Sequence, residues 1–309
     1  MPLPQVFPTR HDNSSFALSS LRHSSSLARP HFVKFHVKPA GILHLWHLAS
    51  LDAPTVAVIW ALGFAWAAGI RLPEWIISLL ALITWTFYIG DRLFDARAAN
   101  RSCLRERHAF HWRHRRVFAP LAMLSAFAAA AIIFVRMPVS VRQHDSILGM
   151  AALAYFSGVH SRRSFPSGLK RILSKEFLVG VIFTAGCALP ALSQMSFGRG
   201  PSLQSLLVLV CSAFFAALAC LNCCAIEFWE SGTADSRIRF AGLVLGAVGL
   251  ALFVFLAPFA TRPAALLAAG AASALLLSLL DTWRARFPAL TLRTAADLVL
   301  LTPIFLFFR

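Results

Sequence analysis

The chain has 309 residues, of which 58% are hydrophobic and 14% are charged, and its mean hydropathy is +0.68. A soluble domain of this length rarely reaches such a hydropathy with so few charges, so the composition predicts a membrane protein. The formal net charge of +16 would indicate nucleic-acid binding only in a basic soluble module. The sequence contains no such module, which excludes nucleic acid as the expected partner.

The N-terminal segment, residues 1–43, is rich in Ser, His and Arg, is nearly free of acids and lacks the hydrophobic core of a secretory signal. We predict a disordered basic tail that lies against the anionic lipids of the inner leaflet. An organelle transit peptide has a similar composition, although the compact remainder of the chain favours the tail. Residues 44–309 are predicted to form one transmembrane helical domain.

Nine apolar stretches of about membrane-spanning length follow, and none shows the two-residue alternation of a membrane strand. We therefore predict an all-α, polytopic membrane protein with about nine transmembrane helices. These helices are expected to surround a central cavity that opens toward the cytoplasm. The predicted spans are 52–70, 75–91, 117–135, 146–160, 176–192, 204–226, 240–260, 264–280 and 294–308.

The distribution of basic residues predicts the orientation. If the N-terminus is inside, the segments on the cytoplasmic side hold 23 of the 29 Lys and Arg residues, and the remaining six lie elsewhere. Cytoplasmic loops of membrane proteins carry such an excess, so we expect a multi-pass protein of the inner (cytoplasmic) membrane with a cytoplasmic N-terminus. The cytoplasmic segments are 1–51, 92–116, 161–175, 227–239 and 281–293.

Two acids lie near the start of predicted spans. Asp52 is followed by Pro54, a pattern typical of the first turn of a helix. Asp297 lies close to the start of the last span, and an ionisable residue at that depth is a candidate for a functional role. Arg293 is four residues away and offers Asp297 an ion-pair partner, which favours a structural role instead.

Two patterns have a metal-binding interpretation that we do not favour. The histidines of residues 107–114 recur every third position, but their basic neighbours repel cations, and a basic loop that touches lipid phosphates or covers the site is the favoured interpretation. Cys220 and Cys223 form a CxxC within an apolar run. Small residues that let helices approach closely explain this pair better than a metal or redox site.

Two pairs of acids lie at the predicted inner ends of spans two and six. Asp91 and Asp95 are four residues apart, and Glu227 and Glu230 are three apart, so each pair shares one face of a helix. Carboxylates are hard oxygen ligands that suit Mg²⁺ held jointly with substrate phosphates. Ordinary ion pairing at the ends of membrane helices is the alternative interpretation. The matching position of both pairs favours a functional one.

Basic segments surround these acids on the same predicted face. Residues 97–116 and 162–175 are rich in Arg and Lys. Guanidinium groups bind phosphate oxygens in a fork, and ammonium groups add a point charge. Carboxylates, basic loops and an apolar cavity together indicate a site for a diphosphate with an apolar tail.

The chain resembles the UbiA superfamily of intramembrane prenyltransferases over most of residues 44–308. These are nine-helix proteins with Asp-rich motifs at the inner ends of helices two and six. The resemblance extends beyond the acids to Tyr155, Lys170-Arg171, Val179-Gly180, Gly186 and Pro190. It implies Mg²⁺-assisted transfer of a prenyl group from a prenyl diphosphate to a hydrophobic, often aromatic, acceptor.

The resemblance also implies roles for particular residues of this chain. The metal and diphosphate would be bound by Asp91, Asp95, Glu227 and Glu230. Phosphate would be bound by Arg101, Arg113, Lys170 and Arg171, and the substrate pocket would be lined by Asn222 and Tyr155.

The acidic motifs differ from the usual pattern of that superfamily. Gly90 stands where an Asn usually opens the first motif, Phe94 replaces one acid, and the second motif carries Glu in place of Asp. One alternative is therefore a catalytically lapsed relative that binds an isoprenoid or lipid or scaffolds a complex. A small-molecule transporter is a second alternative, disfavoured because the acids gather at one face and not at the membrane midplane.

Overall fold

The structure, a computed structural model, describes residues 41–98, 106–160, 175–196, 202–231 and 237–308. Within these ranges the chain forms helices and short connections, with no strand. The prediction of an all-α fold is thereby confirmed. Residues 1–40, which make up most of the predicted N-terminal tail, lie outside the described residues.

The described residues contain eleven α-helices and two short 3₁₀ segments, Arg284–Arg286 and Thr302–Phe308. In chain order the α-helices are α1 (Ile42–Leu48), α2 (Asp52–Ala68), α3 (Glu74–Ala98), α4 (Glu106–Arg113), α5 (Arg115–Arg136), α6 (Val139–His160), α7 (Lys175–Ser196), α8 (Leu203–Ser231), α9 (Arg237–Leu256), α10 (Thr261–Trp283) and α11 (Ala289–Val299).

Seven helical segments of the described chain are long and apolar enough to cross a membrane. About 20 apolar residues are needed to span the hydrocarbon core. The lengths of these segments therefore indicate a polytopic membrane protein. The seven segments are Glu74–Arg97, Arg115–Arg136, Lys175–Met195, Leu203–Ser231, Arg237–Leu256, Thr261–Arg286 and Ala289–Phe308.

Two further predicted spans also coincide with helices, but neither is among the seven. Helix α2 is apolar and only 17 residues long. Helix α6 begins at Val139, well before the predicted span, and its first turns include Arg142 and Asp145. These charged residues lower the hydropathy of α6. Nine crossings therefore stay a prediction.

The last predicted span is divided into two parts. Helix α11 ends at Val299, and a 3₁₀ segment starts at Thr302. Pro303 lies in this second part and cannot donate a backbone hydrogen bond, which explains the break in the α-helix. The break exposes the carbonyl of Leu300, which accepts a hydrogen bond from the indole of Trp60 at 2.9 Å.

Helix α2 lies at the centre of the bundle and packs against α3, α7, α8 and α10. Its buried side chains include Trp60 and Phe64, which contact Phe215 of α8. The rings of Trp60 and Phe215 stack with their centroids 3.9 Å apart, and Phe64 meets Phe215 edge-on at 5.9 Å.

Small residues let neighbouring helices approach closely, as expected for packing inside a bilayer. A Cβ atom at Gly180 in α7 would lie 2.9 Å from the backbone nitrogen of Cys220 in α8. A Cβ atom at Gly249 in α9 would lie 2.8 Å from Ala271 of α10 and from the ring of Phe214. Gly180, which belongs to the resemblance to the prenyltransferases, thus has a packing role here.

Candidate functional site

Polar groups from four helix ends meet at one end of the bundle. Arg92, near the end of α3, lies beside Asp52 at the start of α2. Asn222, in the C-terminal part of α8, donates a hydrogen bond to Asp297 of α11. We call this end of the bundle the polar end. It is the end that carries both acidic pairs predicted from the sequence.

The centre of the polar end is a group of three side chains that we call the acid–histidine cluster: His47, Asp52 and Asp297. Their nitrogen and oxygen atoms all lie within 4.8 Å of one another. His47 Nδ1 is 2.7 Å from Asp52 Oδ2 and 3.6 Å from Asp297 Oδ2. His47 and Asp52 are almost completely buried, whereas the side chain of Asp297 retains 15% of its exposure.

A sharp turn between α1 and α2 positions two members of the cluster. Ser50 has a φ of 58°, in the left-handed region, and reverses the chain between His47 and Asp52. The hydroxyl of Ser50 lies 3.2 Å from Nε2 of the buried His111 in α4. Asp52 Oδ1 accepts the backbone N–H of Ala53 at 3.0 Å, which fixes the carboxylate at the first turn of α2.

Two guanidinium groups accompany the cluster. Arg92 is buried, donates from Nη1 to the backbone carbonyl of His47 at 3.1 Å, and places Nη2 3.6 Å from Asp52 Oδ2. Arg293 of α11 donates to Glu230 Oε1 of α8 at 3.1 Å. These pairs compensate buried charge and hold α3 and α8 against the helices that carry the cluster.

Several polar atoms at the polar end have no hydrogen-bond partner among the residues that the structure describes. They are both ring nitrogens of His47, Nη2 of Arg92, Oδ1 of Asn222 and Nε of Arg293. Buried polar groups in proteins almost always have partners, and each unsatisfied one costs about 1–3 kcal/mol. Such a concentration indicates a site whose polar groups are arranged for a ligand.

The protonation state of His47 follows from its surroundings. Burial, the largest effect, lowers the pKa of His47 below its usual value, and the neighbouring Asp52 carboxylate partly opposes this shift. The positive charges of Arg293 and Arg92 lower the pKa further. The ring is therefore held neutral near pH 7, and neutral imidazole is the form that binds metal ions.

The structure places the four predicted metal ligands in different surroundings. Asp91 is half-buried and Glu227 is exposed. Asp95 is 42% exposed and lies 4.0 Å from Nδ1 of His108. Glu230 is paired with Arg293. Among the described residues, the one set of three His, Cys, Asp or Glu groups with donor atoms within 4.8 Å is the acid–histidine cluster. It contains none of these four acids, whose metal binding stays a prediction.

The six predicted substrate-binding residues are also dispersed. Asn222 is buried and touches the acid–histidine cluster through Asp297. Arg113 is exposed at the end of α4. Tyr155 lies in α6, but its side chain is outside the described residues. Arg101, Lys170 and Arg171 lie outside the described residues altogether.

One sequence interpretation needs correction. In the predicted basic loop 107–114, residues up to Arg113 belong to helix α4. His111 is completely buried against Ser50, and its ring meets that of Phe118 of α5 at a tilt of 40°, with 4.5 Å between ring centroids. The apolar residues between the basic ones allow one face of α4 to pack, which the charge pattern alone conceals.

Sequence reasoning did not combine the members of the acid–histidine cluster. Asp52 is expected from the sequence to cap a helix start; the helix does start there, but Leu51 is its N-cap and Asp52 is its first residue. The sequence assigns no role to His47. Asp297 was a candidate because of its depth, and Arg293, its expected partner, pairs instead with Glu230. One feature of the sequence could have identified the cluster: its three members are ionisable residues near the starts or ends of apolar helices.

One described cavity, of about 530 Å³, lies away from the polar end. Its lining includes Glu74, the first residue of α3, and Arg136, the last residue of α5. The predicted central cavity therefore stays a prediction.

The fold and site together define a helical, multi-pass membrane protein with a buried cluster of ionisable groups at one end of its bundle. No family model matches the chain, and neither a curated protein nor a solved structure matches it.

Proposed function

We propose that the protein is a membrane-embedded prenyltransferase of the UbiA type. It transfers a prenyl group from a prenyl diphosphate to an aromatic or lipid acceptor with the help of Mg²⁺. The observation that supports this proposal is the approach of α3 and α8 to one buried cluster, through Arg92 and Asn222. Both helices that carry the predicted acidic pairs thus contribute side chains to the same end of an apolar bundle.

The donors at the polar end suit Mg²⁺ bound together with a diphosphate. Mg²⁺ keeps several waters and is held by one or two carboxylates plus substrate phosphates, so its protein ligands need not form a closed set. Asp91 is half-buried and Glu227 is exposed, and both side chains carry carboxylate oxygens. Mg²⁺ would supply Lewis-acid assistance to the leaving diphosphate, and Arg113 would contact its oxygens.

The test is the release of diphosphate from prenyl diphosphates of several chain lengths, incubated with purified protein and Mg²⁺. We expect release that Asp91→Ala and Glu227→Ala each lower by about 100-fold or more, because metal assistance contributes several kcal/mol to the transition state. Glu74→Ala removes an exposed acid from the opposite end of α3 and is the matched control. Release that both site variants leave unchanged would contradict the proposal.

A catalytically lapsed relative is the second candidate, and one contact favours it. Glu230 is paired with Arg293 at 3.1 Å, which removes one of the four predicted carboxylates from metal binding. A lapsed protein would bind the prenyl diphosphate or a related lipid without releasing diphosphate. The same incubation, followed by measurement of bound lipid, separates the two candidates.

We further propose that the chain crosses the inner membrane nine times with a cytoplasmic N-terminus. The seven apolar segments and the distribution of Lys and Arg support this topology. A cysteine in the 92–116 segment should then resist a membrane-impermeant reagent added outside the cell. Efficient labelling from outside would reverse the orientation.

A further inference from the structure

We propose that the acid–histidine cluster is a binding site for one divalent first-row transition-metal ion, Zn²⁺ or Mn²⁺. His47 Nδ1 and one carboxylate oxygen each from Asp52 and Asp297 are the ligands, and Asn222 Oδ1 is the fourth. This site is separate from the predicted Mg²⁺ ligands and does not rest on prenyl transfer.

The donor atoms of the cluster lie close enough together to be compared with a coordination shell. Zn²⁺ binds histidine nitrogen and carboxylate oxygen at about 2.0–2.2 Å, which places two ligands of a tetrahedral site roughly 3.3–3.6 Å apart. His47 Nδ1 lies 2.7 Å from Asp52 Oδ2 and 3.6 Å from Asp297 Oδ2. The 3.6 Å pair already has this spacing, and the 2.7 Å pair would have to lengthen by about 0.6 Å for all three ligands to surround one ion.

The orientation of His47 is a second and independent observation. Its ring is completely buried, and neither nitrogen has a hydrogen-bond partner among the described residues. Nδ1 lies at hydrogen-bonding distance from Asp52 but lacks the alignment of a hydrogen bond. Nδ1 thus faces two carboxylates, the nearer of which pairs with it at 2.7 Å, and a metal ion bound by all three groups would take the place of this pair.

Asn222 completes the donor set. Its amide nitrogen donates to Asp297 Oδ1 at 3.4 Å, whereas its buried Oδ1 has no partner among the residues described. An amide oxygen is an acceptor that a cation can use. One imidazole with oxygen donors suits Zn²⁺ or Mn²⁺ better than Mg²⁺, which prefers oxygen ligands and water.

Local charges limit the affinity but allow binding. Asp52 and Glu230 each have a guanidinium group nearby, Arg92 and Arg293 respectively, whereas Asp297 faces His47. Arg92 lies 3.6 Å from Asp52, so it repels a cation at the cluster. Arg92→Gln is therefore expected to bind the metal more tightly than the wild type does.

The experiment measures binding of Zn²⁺, Mn²⁺ and Mg²⁺ separately to the purified, chelator-treated full chain by calorimetry and metal analysis. We expect one equivalent of Zn²⁺ or Mn²⁺ and a weaker response to Mg²⁺. His47→Gln and Asp297→Asn should each weaken binding by about 100-fold, since a neutral amide is a much weaker ligand for Zn²⁺ or Mn²⁺ than an imidazole or a carboxylate. His114→Gln, which alters an exposed histidine of the same basic region, is the matched control.

Thermal unfolding supplies a second readout. The metal that binds should raise the Tm of the wild type and of His114→Gln, but not of Asp297→Asn. If His47→Gln does not fold, Asp297→Asn decides the question, because the side chain of Asp297 is partly exposed and its amide keeps the same shape. The proposal is overturned if the wild type binds no equivalent of Zn²⁺ or Mn²⁺, or if a folded ligand variant binds like the wild type.

Discussion

Helix α2 contains two contrasting regions, its aromatic middle and its polar start. In the middle, Trp60 and Phe64 pack against Phe215, and the indole N–H of Trp60 donates to Leu300. At the start, Asp52 lies among buried groups that lack hydrogen-bond partners within the described residues. In the middle, the rings are packed and the indole N–H has a hydrogen-bond partner, as in a structural core. The start does not, and this incompleteness is what a ligand site requires.

Different interactions stabilise the two regions. Within a bilayer, apolar helices gain little from the hydrophobic effect and are held by close packing. The aromatic middle meets this requirement with stacked rings and a break in α11 that exposes one carbonyl to Trp60. The polar start relies on charge pairs that offset the cost of burying ions. Variants in each region should therefore respond differently.

The largest effect on stability is expected in the aromatic middle. Trp60→Ala should lower the free energy of unfolding by about 4 kcal/mol, because it leaves a cavity and strands the carbonyl of Leu300. Unfolding by denaturant in detergent micelles measures this change. Trp283→Ala is the control, since Trp283 is 43% exposed at the end of α10 and should cost under about 1 kcal/mol. If both variants lowered the free energy of unfolding equally, Trp60 would not belong to the structural core.

The next largest effect is expected at the polar start. In metal-free protein, Asp52→Ala should lower the free energy of unfolding by about 3 kcal/mol, because it leaves the buried Arg92 without its carboxylate partner. Removing Arg92 as well should restore part of the loss, so the double variant measures the coupling directly. Glu74→Ala, an exposed acid at the first turn of α3, should have little effect. Additive losses in the double variant would show that the pair is not coupled.

The contrast between the two regions also explains what the sequence could predict. Apolar runs identify membrane helices, because a continuous stretch of hydrophobic residues has few alternatives in a folded chain. The helix over residues 204–226 was therefore placed within a few residues of α8. Helix α3, which carries the other acidic pair, is predicted to end at Asp91 but continues to Ala98, because hydropathy marks the apolar stretch and not the polar turns beyond it.

The acid–histidine cluster could not be predicted from hydropathy. His47 and Asp52 are brought to Asp297 by the packing of α1 and α2 against α11, and no periodicity records that contact. Each residue also has an ordinary explanation when taken alone, as a helix start or as one half of an ion pair. Only the assembled helices show that three such groups share a single buried position.

The smallest effect distinguishes two acids that the sequence treats as equivalent. Glu230 is paired with Arg293 at 3.1 Å and its side chain is 10% exposed, whereas Glu227, three residues earlier, is exposed. Glu230→Gln should lower the free energy of unfolding by about 2 kcal/mol, since it weakens a largely buried charged hydrogen bond. Glu227→Gln should change it by under about 0.5 kcal/mol. Denaturant unfolding of both variants tests this difference. If Glu227→Gln folds with unchanged stability, a loss of diphosphate release in this variant would be attributed to the site and not to the fold. Equal destabilisation by both variants would instead show that the C-terminal end of α8 acts as one structural unit.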